Sequence, residues 1–93
     1  MALIWPMNVR QTIGWNLRRL RVAKGLSQER LALEASIDRS YVGRVERGSE
    51  NVTVSTLEVL SAVLGVHVSA LFAEVPDDAS KPAALPAGRK RRR

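Results

Sequence analysis

The sequence predicts an all-α fold, five short helices closed compactly around one core. Three observations carry that expectation. Apolar residues recur at helical spacing in the segments between Ile13 and Ala73, and no segment reads as a strand. Ser, Asp and Thr stand where helices start, and Gly stands where they stop. The chain has 93 residues, 45% of them apolar, which is enough for one core and for little more.

Taken in order, Ile13, Leu17 and Leu20 lie at i, i+4 and i+7, giving a first helix over Ile13–Lys24 that Gly25 ends. Ser27 caps a second over Gln28–Ala35. Ser36, Ile37 and Asp38 form a short break, and Asp38 caps a third helix, Arg39–Arg47, stopped by Gly48. Thr53 caps a fourth, Val54–Leu64, ended by Gly65, and a fifth runs over Ser69–Ala73, ahead of Pro76. The expected organisation is a flexible arm over 1–8, on which Trp5 has the means to dock, a folded domain over 9–75, and a disordered basic tail over 76–93. Beyond Pro76 the residues offer almost nothing to bury.

Several function classes drop out. There is no Cys, hence no disulfide, thiolate metal site or cysteine nucleophile. The lone His67 leaves no partner for a histidine metal cluster and reads as a surface residue, so no metal and no cofactor is expected. With one His, no Cys and no acid pair in a rigid apolar pocket, an enzyme is not expected either. No apolar run approaches the ~20 residues of a membrane span. The apolar patch Ala2–Trp5 precedes Arg10, whereas a secretory signal places its charge first. The expected setting is the cytoplasm, in association with the nucleoid.

The formal charge of +6 is unevenly spread. Residues 18–47 hold eight basic side chains against four acids, residues 48–75 hold three acids and no base, and residues 76–93 hold six bases against two acids. That polarity suits one face toward a polyanion and another toward protein, although a solvated charge mixture accounts for it as well.

The informative stretch is Gln28 to Arg47. Two short helices joined by so brief a break must cross steeply, which needs a small residue at the crossing; Ala32 is that residue. Leu31, Ala35, Ile37, Val42 and Val45 are apolar at the offsets that hold such a pair together, the helix-turn-helix pattern. At 100° per residue, Arg39, Ser40, Gly43, Arg44 and Arg47 fall within an arc of about 140°, opposite Tyr41, Val42 and Val45. Arginine is the best single reader of guanine, through paired bonds to O6 and N7, and Gly43 leaves room to approach a groove wall. The plain alternative is an ordinary solvated helix face.

These residues carry a resemblance. Ile13 to Phe72 resembles the lambda-repressor-like, XRE-type helix-turn-helix domain, through LRVAKGLSQERLA at 20–32, VERG at 45–48 and LSAVLGV at 60–66. A narrower resemblance, to controller proteins of restriction–modification systems, rests on DRSYV at 38–42 and VERGSENVTV at 45–54. The resemblance implies a bacterial, sequence-specific regulator of transcription, a repressor or an activator. It would act as a homodimer on a (pseudo)palindromic operator, its own promoter included, with 39–47 in the major groove. It implies base reading by Arg39, Ser40 and Arg44, and backbone or mixed contacts by Ser27, Gln28, Gly43, Arg47, Ser49 and Asn51. Tyr41 matches a position that touches backbone or a thymine methyl, and equally a core-edge position. Ser27 and Gln28 also stand at a helix N-terminus, whose free N–H groups suit phosphate. Arg21 and Glu46 match a structural pair. Two residues depart from the pattern: Glu50, an acid near phosphate, and Ser36, where most members have Gly.

The acidic segment holds more apolar residues than one small core needs. Leu57, Leu60, Leu64 and Phe72 suit the core; Val59, Val63, Val68 and Leu71 are candidates for the dimer interface, or are simply exposed. The tail Arg89, Lys90, Arg91, Arg92 and Arg93 would attract phosphate without regard to sequence. The expected partners are double-stranded DNA, a second copy and RNA polymerase, with no membrane and no small-molecule effector. A competing reading is an antitoxin-like module that neutralises a protein partner and regulates its own operon.

Overall fold

A computed structural model of the chain describes residues 8–76. The arm expected over 1–8, save Asn8, and the tail expected over 76–93, save Pro76, lie outside the described residues. Among the described residues the fold is all-helical: α1 (Val9–Ala23), α2 (Gln28–Ala35), α3 (Arg39–Glu46), α4 (Val54–Leu64) and a 3₁₀ helix (Val68–Phe72).

Local chemistry explains the ends. α1 begins at Val9, a full turn ahead of the Ile13 start that the apolar spacing predicts, because Asn8 and Gln11 form a reciprocal capping box. The Asn8 side chain accepts from the Gln11 N–H at 2.9 Å, and Gln11 Oε1 accepts from the Asn8 N–H at 3.1 Å. Ser27 caps α2 by accepting from the Arg30 N–H at 2.9 Å. α2 ends on Ser36 at φ 58°, the single non-glycine residue with positive φ among the described residues. There the Ile37 N–H reaches back to the Ala32 carbonyl at 2.9 Å, which turns the chain into α3. α3 closes at Glu46, one residue short of the expected end, with Arg47 as its cap.

Ile13 and Leu17 of α1, Leu31, Ala32 and Ala35 of α2, Val42 and Val45 of α3, and Leu57, Leu60 and Leu64 of α4 form one core with Leu71. Two backbone surfaces meet where α1 crosses α3. A Cβ at Gly14 would stand 2.5 Å from the Val45 carbonyl oxygen and 2.6 Å from that of Glu46. Only a glycine allows that approach.

The C-terminal segment corrects two expectations. The fifth helix is 3₁₀, so the α-helices among the described residues number four. Its tighter winding stacks Val68 over Leu71, and Leu71 is fully buried while Phe72 is 46% exposed. Leu71 is therefore a core residue with no surface for a second copy, and Phe72 takes the outward place. Asn16 clasps this segment to α1 from a fully buried position. Its Nδ2 donates to the carbonyls of Leu71 at 3.2 Å and Ala73 at 2.8 Å, as well as to Thr12 at 3.1 Å in its own helix.

Candidate nucleic-acid interface

α3 is anchored from its inner side. The Arg21 guanidinium grips the Glu46 carboxylate with two parallel bonds from its side edge, Nε to Oε2 at 2.6 Å and Nη2 to Oε1 at 3.0 Å. The two side chains are 4% and 2% exposed. Arg21 Nη1 also donates to the Leu26 carbonyl at 2.8 Å, and Gln28 Nε2 donates to Glu46 Oε1 at 3.0 Å. One carboxylate thus joins the C-terminal end of α3 to α1 and to the first residue of α2. A pair this dry fixes geometry, because separating it would leave a charge without water.

The outer side of α3 is open. Gln28, Arg39, Ser40, Gly43, Arg44 and Arg47 line a shallow cleft of 360 Å³. Arg39, Ser40 and Arg47 are exposed, and Arg44 is half-buried. Gly43 is buried, contrary to its expected place as a bare spot facing a groove. A Cβ there would stand 3.3 Å from Arg47 Nη1, a tight contact with a flexible tip, and 3.9 Å from Gln28 Oε1, an ordinary one, so the glycine chiefly makes room for Arg47. With one amide hydrogen on Glu46, Gln28 keeps a second as a donor.

Arg44 is held on three sides. Its Nε donates to Glu50 Oε1 at 2.8 Å, its Nη1 has a long contact of 3.4 Å with Ser40 Oγ, and its Cζ lies 5.6 Å from the Tyr41 ring centroid. Tyr41 is half-buried and packs against the core, so it combines a core-edge place with a contact to Arg44.

The loop after α3 divides the remaining residues. Ser49 is exposed but tied back to the end of α3: its N–H and Oγ both donate to the Arg44 carbonyl, at 3.0 Å and 3.2 Å. Asn51 is exposed, and its Oδ1 accepts from Arg10 Nε at 2.7 Å. Arg10 is a residue that sequence reasoning missed. Its signal was that it is the single basic residue before Arg18, at the start of a helix whose far end is basic. Gly48, at φ 77°, brings the loop against α1, where a Cβ would stand 2.9 Å from Gln11 Cγ. His67 is exposed and caps the 3₁₀ helix through Nδ1, which accepts from the Ser69 N–H at 3.1 Å. Val59 is 42% exposed, and Val63 and Val68 are half-buried. Arg89 to Arg93 lie outside the described residues. No group that could hold a metal ion occurs among the described residues, and no helix there is long and apolar enough to cross a membrane.

Comparison with known proteins shows the family of the fold. A helix-turn-helix family model matches residues 17–71. A hypothetical transcription factor of Neisseria meningitidis serogroup B is 44% identical over 59 residues, which cover 63% of this chain and 56% of that protein. The chain thus spans little more than half the length of this relative. The restriction–modification controller protein C.AhdI from Aeromonas hydrophila has a crystal structure that superposes with a TM-score of 0.66 at 48% identity, over 68% of this chain and 96% of that one. The controller protein C.Esp1396I, crystallised as a tetramer with its natural 35-base-pair operator, superposes with a TM-score of 0.64 at 30% identity, over 71% and 87%.

Proposed function

The chain belongs to the helix-turn-helix family of transcriptional regulators, and from that premise we propose that it reads a specific operator as a homodimer, with α3 in the major groove. The observation that carries this reading is the two-sidedness of α3. Val42 and Val45 are 0% and 1% exposed on one side, while an arginine-lined cleft opens on the other. Arg39, Ser40 and Arg44 meet base edges. Arg47, the second amide hydrogen of Gln28, the Ser27 hydroxyl and the free N–H groups at the start of α2 hold phosphate. Arg10 and Asn51 extend the phosphate track across the first turn of α1. The operator complex of C.Esp1396I supports DNA as the partner of this surface.

A second copy covers Val59, Val63 and Val68, with Phe72 in place of Leu71. Two-fold pairing sets the recognition helices one DNA turn apart, ~34–36 Å. The tail Arg89 to Arg93 adds attraction that ignores sequence and fades with salt. Regulation of its own gene is part of this reading, with operator occupancy tracking the protein's concentration.

The test is binding of the full chain to the DNA upstream of its own gene, against shuffled DNA of equal length, at physiological salt. A gap of ~10³-fold or more is expected. Arg44→Ala is expected to lose about 1–3 kcal/mol of discrimination. Removal of residues 89–93 is expected to weaken both DNAs alike. Equally weak binding of the two DNAs by the intact chain would overturn the reading.

A further inference from the structure

Glu50 is an acid beside a surface read as phosphate-binding, where it lowers affinity for any DNA. Its place is nonetheless built. Gly48 in the left-handed conformation and the two bonds from Ser49 to the Arg44 carbonyl fold the loop back over the end of α3. Glu50 Oε1 then meets Arg44 Nε at 2.8 Å, with the two side chains 26% and 44% exposed.

The atom engaged matters. A guanidinium offers a side edge, through Nε, and a terminal edge, through its two NH₂ groups. Glu50 occupies Nε, Ser40 touches Nη1 at 3.4 Å, and the Tyr41 ring lies against the face. Nη2 has no hydrogen bond among the described residues, and Nη1 gives only one of its two hydrogens to Ser40, so the terminal edge keeps a donor on each nitrogen for an acceptor pair such as guanine O6 and N7.

We propose that Glu50 is a positioning residue for base recognition: it fixes Arg44 by its side edge and thereby presents the terminal edge to guanine. This rests on the reading of Arg44 as a base contact. The same carboxylate also weakens phosphate binding to any DNA alike, so the gain in the ratio of specific to non-specific affinity comes from the positioning. A free arginine at the same position would sample phosphates and either groove wall.

The test is selection from a random-duplex DNA library by the full chain, by Glu50→Ala, by Glu50→Gln and by Arg44→Ala. Affinities for the selected site and for shuffled DNA follow. Glu50→Ala is expected to tighten shuffled-DNA binding a few-fold and to lower the specificity ratio by about tenfold, within what one good bidentate contact supplies. The loss should fall on the same guanine that Arg44→Ala blurs, and the double variant should be no worse than Arg44→Ala. Glu50→Gln keeps an acceptor without the charge, so it should retain that guanine while binding shuffled DNA more tightly. If Glu50→Ala tightens both DNAs equally and leaves the motif intact, Glu50 is only a repulsive charge and the proposal falls alone. If Arg44→Ala leaves the motif intact, the base-reading role of Arg44 falls and takes the proposal with it.

Discussion

The inner and outer sides of α3 each carry an arginine–glutamate pair, and the two pairs do opposite work. Arg21–Glu46 is 4% and 2% exposed and is bonded further to Leu26 and Gln28. Arg44–Glu50 is 44% and 26% exposed and leaves one arginine edge open. Excluding water makes the first pair a structural joint, since neither charge survives alone there. Admitting water makes the second a weak contact whose value lies in orientation. Residue type does not decide which of these an ion pair becomes; its surroundings do.

The largest effect should come from breaking the inner pair. Glu46→Ala leaves Arg21 buried without a counter-charge and should cost about 3–5 kcal/mol in a urea titration, much of the stability of a small domain. A cost near that of a surface substitution would erase the contrast. Next, Gly14→Ala pushes a methyl against the Val45 and Glu46 carbonyls. It should cost about 1–3 kcal/mol and loosen DNA discrimination as well, because α3 must move. A third test is a double-mutant cycle on Arg44 and Glu50. Their coupling to stability should stay within about 1 kcal/mol and vanish near 1 M salt, while the same cycle on Arg21 and Glu46 should persist. The smallest effect concerns the turn between α2 and α3. Ser36→Gly relieves a left-handed serine at the cost of a floppier unfolded chain, for a net gain of about 0.5 kcal/mol in thermal unfolding, with DNA binding unchanged.

Much of this arrangement was legible in the sequence. Cap residues placed the starts of α2 and α4, Gly65 placed the end of α4, and the apolar offsets of Val42 and Val45 told the inner side of α3 from its outer side. What escaped has physical reasons. The early start of α1 lay in a polar capping box, which apolar spacing does not register. The exchange of Leu71 and Phe72 followed from a 3₁₀ winding, whose period differs from the α-helical one assumed. Gly43 and Gly14 both serve close approach, but which neighbour approaches is a tertiary fact. The partner of Glu50 was equally hidden: the acid looked like a blemish on a basic surface because the loop that folds it onto Arg44 has no sequence period. Arg10 escaped because its neighbour Asn51 lies far away in sequence, across the fold.

Asn16 has a consequence for how the molecule can be controlled. Its amide ties the C-terminal segment to the same helix that holds α3 through Gly14 and Arg21, so the acidic and basic halves share one keel. A hull braced on a single keel resists the swing of one half against the other among the described residues. On that bracing, docking on the acidic side is expected to act through how many such hulls stand together and how far apart they sit, rather than through the pitch of α3 within each.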